Sequence, residues 1–212
     1  MTATALPPFI SIESISKSFH KDGKQIPVIS DFSLDARQGE FVVLFGPNGC
    51  GKTTLLHVLA GLDSSFKGKI VVGGKEGGYL STGFVFQNFH ESLFPYKTIL
   101  ENVEFPLLAK GVGGKACAQA AHSWLSKVGL SDHAGKYPYE LSGGMKQLTA
   151  LARAWVSDPS LLILDEPFSS LDYDTRLKME EQVQKLWGEN PKTTIFVSHD
   201  VDEAVFLADK VV

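Results

Sequence analysis

Short apolar runs and helical repeats alternate along much of the chain, and their order predicts an α/β fold. Residues Phe41–Phe45 are continuously apolar, as in a strand buried on both faces of a parallel sheet. Similar strands are predicted at Leu161–Leu164 and Thr194–Val197, each followed by helical periodicity, about Thr175–Trp187 and Asp202–Ala208. This order of strands and helices favours a mostly parallel sheet.

The N-terminal region has a different pattern, which predicts a separate set of strands. Residues Phe9–Phe19 alternate between apolar and polar positions, as expected of an edge strand. Asp22-Gly23 predicts a turn, and a second strand follows near Val28–Leu34. Further strands are predicted at Lys69–Val72 and Phe84–Phe86.

The stretch from residue 88 to residue 158 interrupts the alternation of strands and helices. Helical periodicity appears there at Leu100–Ala109 and again at Lys115–Val128. We interpret residues 88–158 as a helical insertion, and residues 1–87 and 159–212 as the core domain that carries it.

Composition and charge narrow the class of protein. Of the 212 residues, 43% are hydrophobic and 21% charged, as in ordinary globular proteins, and the net charge of −4 argues against a nucleic-acid partner. Two distant cysteines, Cys50 and Cys117, fit a reduced, cytosolic compartment. The sequence shows neither a signal peptide nor an apolar run of the roughly 18 residues that span a bilayer. Because Lys210–Val212 resembles the start of a strand, we expect the natural chain to continue.

A phosphate-binding loop is the most specific chemical signal in the sequence. Gly46–Thr53 matches G-x-x-x-x-G-K-[ST], with an apolar strand before it and a predicted helix, Thr53–Leu62, after it. Backbone N–H groups of such a loop turn onto phosphate oxygens, and the helix N-terminus adds a positive dipole. The lysine reaches the β- and γ-phosphates, and the threonine hydroxyl binds Mg²⁺. The nucleotide-binding residues predicted here are Gly46, Pro47, Asn48, Gly49, Cys50, Gly51, Lys52, Thr53 and Thr54.

Polar side chains follow two other predicted strands. Asp165 and Glu166 end the strand Leu161–Leu164, and at this edge of an open α/β sheet ligands usually bind. We expect Asp165 to belong to the Mg²⁺ shell and Glu166 to orient or deprotonate an attacking water. His199 follows the strand Ile195–Val197, so the ends of three strands, after Phe45, Leu164 and Val197, are expected to converge on one site.

The segment Leu141–Gln147 begins with Leu-Ser-Gly-Gly and precedes a predicted helix, Leu148–Val156. It could be a second phosphate-binding helix N-terminus, or only a capping loop. With the other motifs it makes the chain resemble the nucleotide-binding subunits of ATP-binding cassette (ABC) transporters over essentially its whole length. The segments fall in the order of that family: an N-terminal aromatic (Phe19), the Walker A loop (Gly46–Thr53), the Q-loop glutamine (Gln87), the signature (Leu141–Gln147), Walker B (Leu161–Glu166), the D-loop (Ser169–Asp172) and the switch histidine (His199).

The resemblance implies an ABC ATPase fold: a P-loop NTPase core of mostly parallel sheet, an N-terminal antiparallel β region and the helical insertion. It implies two cassettes packed head to tail, identical or homologous, with ATP held between the Walker A loop of one and the signature of the other. It also implies that Phe19 stacks on adenine and that Gln87 couples Mg²⁺ and the γ-phosphate to the helical insertion. Ser142, Gly143 and Gly144 are expected to contact the γ-phosphate, and His199 to sense it. Asp172 is expected to communicate between the two ATP sites. Lys52, Gln87, Glu166 and His199 are thus the expected catalytic residues, and Thr53, Gln87 and Asp165 the expected metal ligands.

Within the family the chain resembles the importers of nitrate, sulfonate, taurine or bicarbonate, which often have a methionine where Met145 stands. That group usually has two arginines around the signature glutamine, where this chain has Lys146 and Leu148. The resemblance implies integral membrane permease subunits and, indirectly, a solute-binding protein as partners, at the inner face of the cell membrane. Apolar residues that could receive a permease helix, or simply pack in the core, are Phe89, Leu93, Phe94 and Tyr96.

Two other functions are alternatives to a transporter ATPase. A soluble ABC ATPase acting on DNA or ribosomes would usually join two cassettes or contain a long coiled coil, and neither is visible. A different P-loop enzyme, such as a small kinase, would not require Leu141–Gly144 or His199.

Overall fold

The structure is a computed structural model that describes residues 7–76, 81–88 and 92–212. The chain divides into two units, Met1–Leu80 with Lys192–Val212, and Ser81–Pro191, and each is described by itself. The helical stretch predicted over residues 88–158 falls in the second unit, and its extent as a separate insertion stays a prediction.

Most predicted strands and helices are present, with ends that differ by a few residues from those predicted. Strand β3 has the predicted bounds. In chain order the described elements are β1 Ile10–Lys21, β2 Lys24–Ala36, β3 Phe41–Phe45, α1 Lys52–Leu59, β4 Lys67–Val72, β5 Lys75–Glu76, β6 Thr82–Val85, α2 Ile99–Ala109, α3 Gly114–Lys127, α4 Gly143–Trp155, β7 Leu161–Asp165, α5 Tyr173–Glu189, β8 Thr193–Ser198, α6 Val201–Leu207 and β9 Lys210–Val211. Single 3₁₀ turns lie at Ser131–His133 and Pro138–Glu140.

An antiparallel sheet forms the N-terminal part of the first unit, with the strand order β2-β1-β4-β5. Strand β1 therefore has a neighbour on each side, and the prediction that it is an edge strand is wrong. Alternation of apolar and polar residues indicates that one face of a strand is buried, but it does not indicate how many strands pair with it. Asp22 and Gly23, with φ of 53° and 74°, form the tight turn that lets β1 and β2 pair as far as Lys21 and Lys24.

Parallel strands form the second layer of the first unit. Strand β3 pairs in parallel with β8 on one side and with β9 on the other. The side chains of Phe41, Val42 and Val43 are almost completely buried, which explains why this strand is apolar at consecutive positions. Phe45 is opposite Ser198, so the segments that follow β3 and β8 leave the sheet side by side.

The second unit combines a parallel strand pair with helices. Strands β6 and β7 are in register, with Val85 opposite Leu164. Helices α2, α3 and α4 pack around a shared apolar core, which is extended by one residue of α5, Leu186. The core residues on these three helices include Ile99, Val103, Cys117, Ala121, Leu125 and Ala152.

No helix among the described residues is long and apolar enough to cross a membrane.

Candidate active site

The loop between β3 and α1 has the backbone of a phosphate-binding loop. Gly49 and Gly51 have φ of 81° and 103°, which favours glycine at both positions. At Gly51 a Cβ atom would lie 2.8 Å from the carbonyl oxygen of Val28, so this part of the loop packs against strand β2. None of the first-turn residues of α1 is acidic, so the positive end of the helix dipole is not offset there.

The side chain of Lys52 curls back over the loop. Its Nζ donates hydrogen bonds to the carbonyl oxygens of Gly46 at 2.7 Å and Pro47 at 3.0 Å. The ammonium group is thus held on the loop itself, while residues Pro47–Cys50 remain exposed. Thr53 and Thr54 lie in the first turn of α1, with Thr53 exposed.

His199 follows strand β8, next to the end of β3 from which the loop departs. Its neighbours are fixed: the hydroxyl of the buried Ser198 donates to Glu203 Oε2 at 2.6 Å, and Asp200 caps α6 by accepting from the Asp202 N–H. The imidazole itself is exposed. The loop and His199 therefore leave the same edge of adjacent parallel strands, as predicted for two of the three strand ends.

In the second unit the carboxylate pair ends strand β7. Asp165 and Glu166 are only 2% and 7% exposed. The backbone of Glu166 has φ of 41°, a left-handed conformation that is uncommon for a residue with a side chain and common at functional sites. Gln87 follows the adjacent strand β6, and its Nε2 donates to Glu166 Oε2 at 3.2 Å. The structure brings these three residues together, and the convergence of this strand end with those of the first unit stays a prediction.

The signature segment differs from the prediction, because its glycines are helical. Helix α4 begins at Gly143, five residues before the predicted start at Leu148. Ser142 caps it, since its Oγ accepts from the Met145 N–H at 3.3 Å. Poor intrinsic helix propensity of two glycines hid this turn from the sequence analysis.

The signature lies next to the D-loop residue Asp172. That residue caps α5 by accepting from the Thr175 N–H at 3.0 Å. A Cβ on Gly144 would lie 3.1 Å from Thr175 Cγ2, so the N-termini of α4 and α5 are in contact. Ser142 and Asp172 are both exposed.

Phe19, the predicted adenine-stacking residue, is 45% exposed on strand β1 and lies opposite Ile26 of β2. Val28, which packs against Gly51, is two residues further along β2. Two strand residues span about 7 Å, so the aromatic ring and the phosphate loop lie along one short stretch of the first unit. Lys17 is not among the site residues predicted from the sequence, yet its Nζ is 5.0 Å from the centre of the Phe19 ring. The signal was a lysine two positions before an aromatic on a strand, which places both on one face.

In the second unit, two of the residues predicted to receive a permease helix, Phe94 and Tyr96, form an aromatic cluster with Phe105. The Phe94 ring lies 4.7 Å from that of Phe105 and 5.9 Å from that of Tyr96, measured between ring centroids. Tyr96 is 71% exposed, whereas Leu93 is buried and belongs to the core. Arg153 supports the cluster, with its guanidinium carbon 5.9 Å from the Phe94 ring and a 2.7 Å hydrogen bond to the Ser92 carbonyl. Phe89, the remaining candidate, lies outside the described residues.

Each unit contains oxygen donors of the type that Mg²⁺ binds. Among the described residues no group of three or more His, Cys, Asp or Glu side chains could hold a metal ion. Mg²⁺ bound with a nucleotide needs only one or two carboxylates besides phosphate oxygens and water. The second unit carries a buried carboxylate of this kind, Asp165, and the first unit carries the exposed hydroxyl of Thr53.

Comparison with known proteins gives consistent matches over nearly the whole chain. The family model described as ABC transporter matches residues 29–169. An uncharacterized ABC transporter ATP-binding protein of Methanocaldococcus jannaschii is 40% identical over 205 residues, covering 96% of this chain and 76% of that protein. The aliphatic sulfonates import ATP-binding protein SsuB of Bacillus cereus is also 40% identical, covering 96% of this chain and 80% of its own length. A dimeric post-hydrolysis state of the ATP-binding cassette MJ0796, bound to ADP and Pi, has a TM-score of 0.83 with 32% identity, over 96% of each chain.

Proposed function

The chain belongs to the ABC transporter family as an ATP-binding subunit and ATPase, and we propose that it powers the import of a small solute through separate membrane subunits. The observation that carries the importer assignment is the 40% identity to a sulfonate import ATP-binding protein across 96% of the chain. An aliphatic sulfonate, a class that includes taurine, is therefore the favoured solute, with nitrate and bicarbonate as the alternatives from sequence resemblance. A role on DNA or ribosomes is not favoured by these relatives.

We propose the following division of labour at the nucleotide. The loop Gly46–Thr53 and the N-terminus of α1 bind the phosphates, and Lys52 exchanges its carbonyl partners for the β- and γ-phosphates. Thr53, Gln87 and Asp165 hold Mg²⁺, which neutralises charge on the phosphate oxygens when it is bound. Phe19 stacks on the adenine.

Hydrolysis is assigned to the residues around Glu166. Its carboxylate, positioned by the Gln87 amide, orients or deprotonates the attacking water. His199 contacts the γ-phosphate from the edge of β8 that adjoins the phosphate loop. The left-handed backbone of Glu166 supports this role, because such strain is commonly retained where a side chain must be aimed.

We further propose that two cassettes enclose ATP. The N-terminus of α4, where Ser142 is exposed and Gly143 and Gly144 are half-buried, binds the γ-phosphate held by the loop of a second cassette. Asp172, next to this terminus, transmits the state of one site to the other. The dimeric form of the similar cassette MJ0796 supports the arrangement.

The membrane partner is proposed to bind at the aromatic cluster of Phe94, Tyr96 and Phe105. The exposed Tyr96 and Phe105 provide apolar contact area, and the half-buried Arg153 supports the ring of Phe94 that both of them contact. Binding of a membrane subunit there would place the chain at the inner face of the cell membrane, and the similarity to a sulfonate import ATP-binding protein supports a membrane-associated location. A solute-binding protein would act on the other side, without contacting this chain.

A pull-down from mildly solubilised native membranes tests the proposal. Tagged protein should recover an integral membrane subunit, identified by mass spectrometry. Tyr96→Asp should reduce this recovery at least about tenfold, because a charge would be placed in an apolar contact. The matched control Leu62→Asp changes another exposed apolar residue, 62% exposed, and should recover the subunit normally. Recovery of only ribosomal or DNA-associated proteins would overturn the importer assignment.

A further inference from the structure

A buried lysine lies behind the aromatic ring of Phe19. Lys17 is only 4% exposed, and lysine is almost never buried unless its charge is paired. Its Nζ lies 2.7 Å from Asp63 Oδ2 and donates a 2.8 Å hydrogen bond to Asp63 Oδ1, so both carboxylate oxygens contact the ammonium. The same Nζ is 5.0 Å from the centroid of the Phe19 ring, within the range of a cation–π interaction.

The strand geometry explains why these side chains meet. Lys17 and Phe19 are two residues apart on β1 and therefore share one face of the sheet. Their cross-strand neighbours on β2 are Ile29 and Ile26. With the ammonium on one face of the ring and 45% of Phe19 exposed, the ring can offer its remaining surface to a planar ligand.

Asp63 ties this pair to the helix that follows the phosphate loop. It lies just after α1, where the N–H groups of Leu62 and Asp63 both donate to the His57 carbonyl, at 2.9 Å and 3.2 Å. Its Oδ1 also accepts a 2.8 Å hydrogen bond from the Ser65 N–H. Helix α1 begins at Lys52 and is about 12 Å long, so its two ends carry the phosphate loop and the anchor of Lys17.

We propose that Lys17, held by Asp63, is a positioning residue for the base of the nucleotide: it fixes the tilt of the Phe19 ring against which the adenine stacks. The inference rests on the proposed adenine-binding role of Phe19. Lys17 itself touches neither the base nor the phosphates in this scheme. Its loss should therefore weaken only the part of nucleotide affinity that depends on the base.

A comparison of ADP binding with tripolyphosphate binding separates the affinity due to the base from the affinity due to the phosphates, because only ADP has a base. Lys17→Met keeps an unbranched side chain and removes the cation, and it should raise the Kd for ADP about fivefold while leaving the Kd for tripolyphosphate unchanged. In steady-state hydrolysis the same variant should raise KM for ATP with kcat retained. Lys17→Arg keeps the cation and should restore the affinity for ADP.

A double-mutant cycle identifies the residue through which Lys17 acts. In a Phe19→Ala background, Lys17→Met should have no further effect on the Kd for ADP. Lys69→Met, which removes a half-exposed lysine 3.9 Å from Glu76 on the same sheet, is the matched control and should bind both ligands normally.

The outcomes distinguish this inference from the function on which it rests. If Phe19→Ala weakens ADP binding and Lys17→Met does not, the positioning role is wrong and the adenine site stands. If Phe19→Ala has no effect, the adenine site itself is wrong, and the inference falls with it. Equal weakening of ADP and tripolyphosphate by Lys17→Met would show a general structural defect and would also overturn the inference.

Discussion

The side-chain amide of Gln87 donates a hydrogen bond to the carboxylate of Glu166, with 3.2 Å between Nε2 and Oε2. The two residues follow neighbouring parallel strands, β6 and β7, which places them at the same edge of the pair. Glu166 is 7% exposed, so the direction of its carboxylate is set by protein groups more than by solvent. Gln87 is therefore positioned to aim the residue proposed to act on the attacking water.

Replacing the donor tests this relationship. Gln87→Leu has a similar size and cannot donate, so we expect kcat for ATP hydrolysis to fall about tenfold, the value of one hydrogen bond to a charged group. Steady-state kinetics at saturating Mg²⁺ and ATP would measure it. Asn88→Ala alters the next residue, which is also exposed, and should hydrolyse ATP at the normal rate. An unchanged kcat for Gln87→Leu would contradict the role of the bond.

Thiol labelling should report on the phosphate loop. Cys50 is exposed within the loop, and a Cβ on Gly46 would be 3.3 Å from the Cys50 Sγ. Cys117, in contrast, is only 2% exposed, and burial raises the pKa of its thiol. We predict that a maleimide modifies native protein once, at Cys50, and abolishes nucleotide binding because the adduct fills the loop. ATP should protect against modification. Cys50→Ala should bind ATP and resist the reagent, and alkylated protein that binds ATP normally would show that Cys50 faces away from the site.

Close packing of α4 on strand β6 predicts a large effect of one added methyl group. A Cβ on Gly83 would lie 2.5 Å from the Ala154 carbonyl oxygen and 2.8 Å from Leu162 Cδ2. The backbone atom cannot move without displacing α4, so Gly83→Ala should lower the free energy of unfolding by about 1–3 kcal/mol. Urea denaturation would measure the change.

The matched glycine substitution, Gly188→Ala, should change the free energy of unfolding in the opposite direction. Gly188 is in helix α5, and a Cβ there would meet nothing within 4 Å. Gly188→Ala should raise the free energy of unfolding by about 0.5–1 kcal/mol, since alanine loses less backbone entropy in a helix. If both alanine variants are less stable than wild type, close packing at Gly83 is not the reason that Gly83→Ala is destabilised.

Acid should weaken the contribution of Asp63 to stability. The hydrogen bond from Lys17 holds the pKa of the Asp63 carboxyl below its ordinary value of 3.8, with a smaller effect of the Ser65 N–H. A pKa lowered by folding gives stability that is complete above the unfolded-state pKa and is lost as pH falls through the folded-state pKa. We expect Asp63→Asn to be less stable than wild type at pH 7, by a difference that shrinks progressively below about pH 4.

Urea denaturation over a series of pH values would measure this difference. Glu76→Gln removes a carboxylate that is 72% exposed in its pair with Lys69, and it should differ little from wild type at any pH. A difference between Asp63→Asn and wild type that stays constant from pH 7 to the acid limit of the native state would contradict the ion pair.

The sequence predicted strands, helices and loops well wherever an apolar run or a motif was distinctive. The apolar run Phe41–Phe45 predicted a strand buried on both faces, and its bounds are confirmed, although the side chain of Phe45 at its end is 41% exposed. The loop that we propose binds phosphate lies between β3 and α1 as its motif predicts, because the spacing of this motif is dictated by chemistry rather than by packing. The helical turn at Gly143 and Gly144 could not be predicted, because the Ser142 cap and the contact with Thr175 outweigh the low helix propensity of glycine.

Long-range contacts were beyond the sequence. Lys17 and Asp63 are 46 positions apart, and nothing in either local pattern indicates that they pair. The same holds for Gln87 and Glu166, separated by 79 positions, whose contact follows only from the pairing of β6 with β7. The predicted edge position of β1 failed for the same reason, since strand neighbours are a property of the whole sheet.

We propose that ATP turnover by this chain depends on the Glu166 carboxylate, and Glu166→Gln is the variant to measure first. Glutamine keeps the shape and an oxygen acceptor for Gln87 but cannot act as a base. We predict unchanged ATP affinity, at least about a hundredfold loss of turnover, and a stable dimer of the 23.1 kDa chain with ATP but not ADP, measured by light scattering. Glu181→Gln, at an exposed position of α5, should behave as wild type. Hydrolysis by Glu166→Gln at the wild-type rate would show that Glu166 is not the residue that acts on the attacking water.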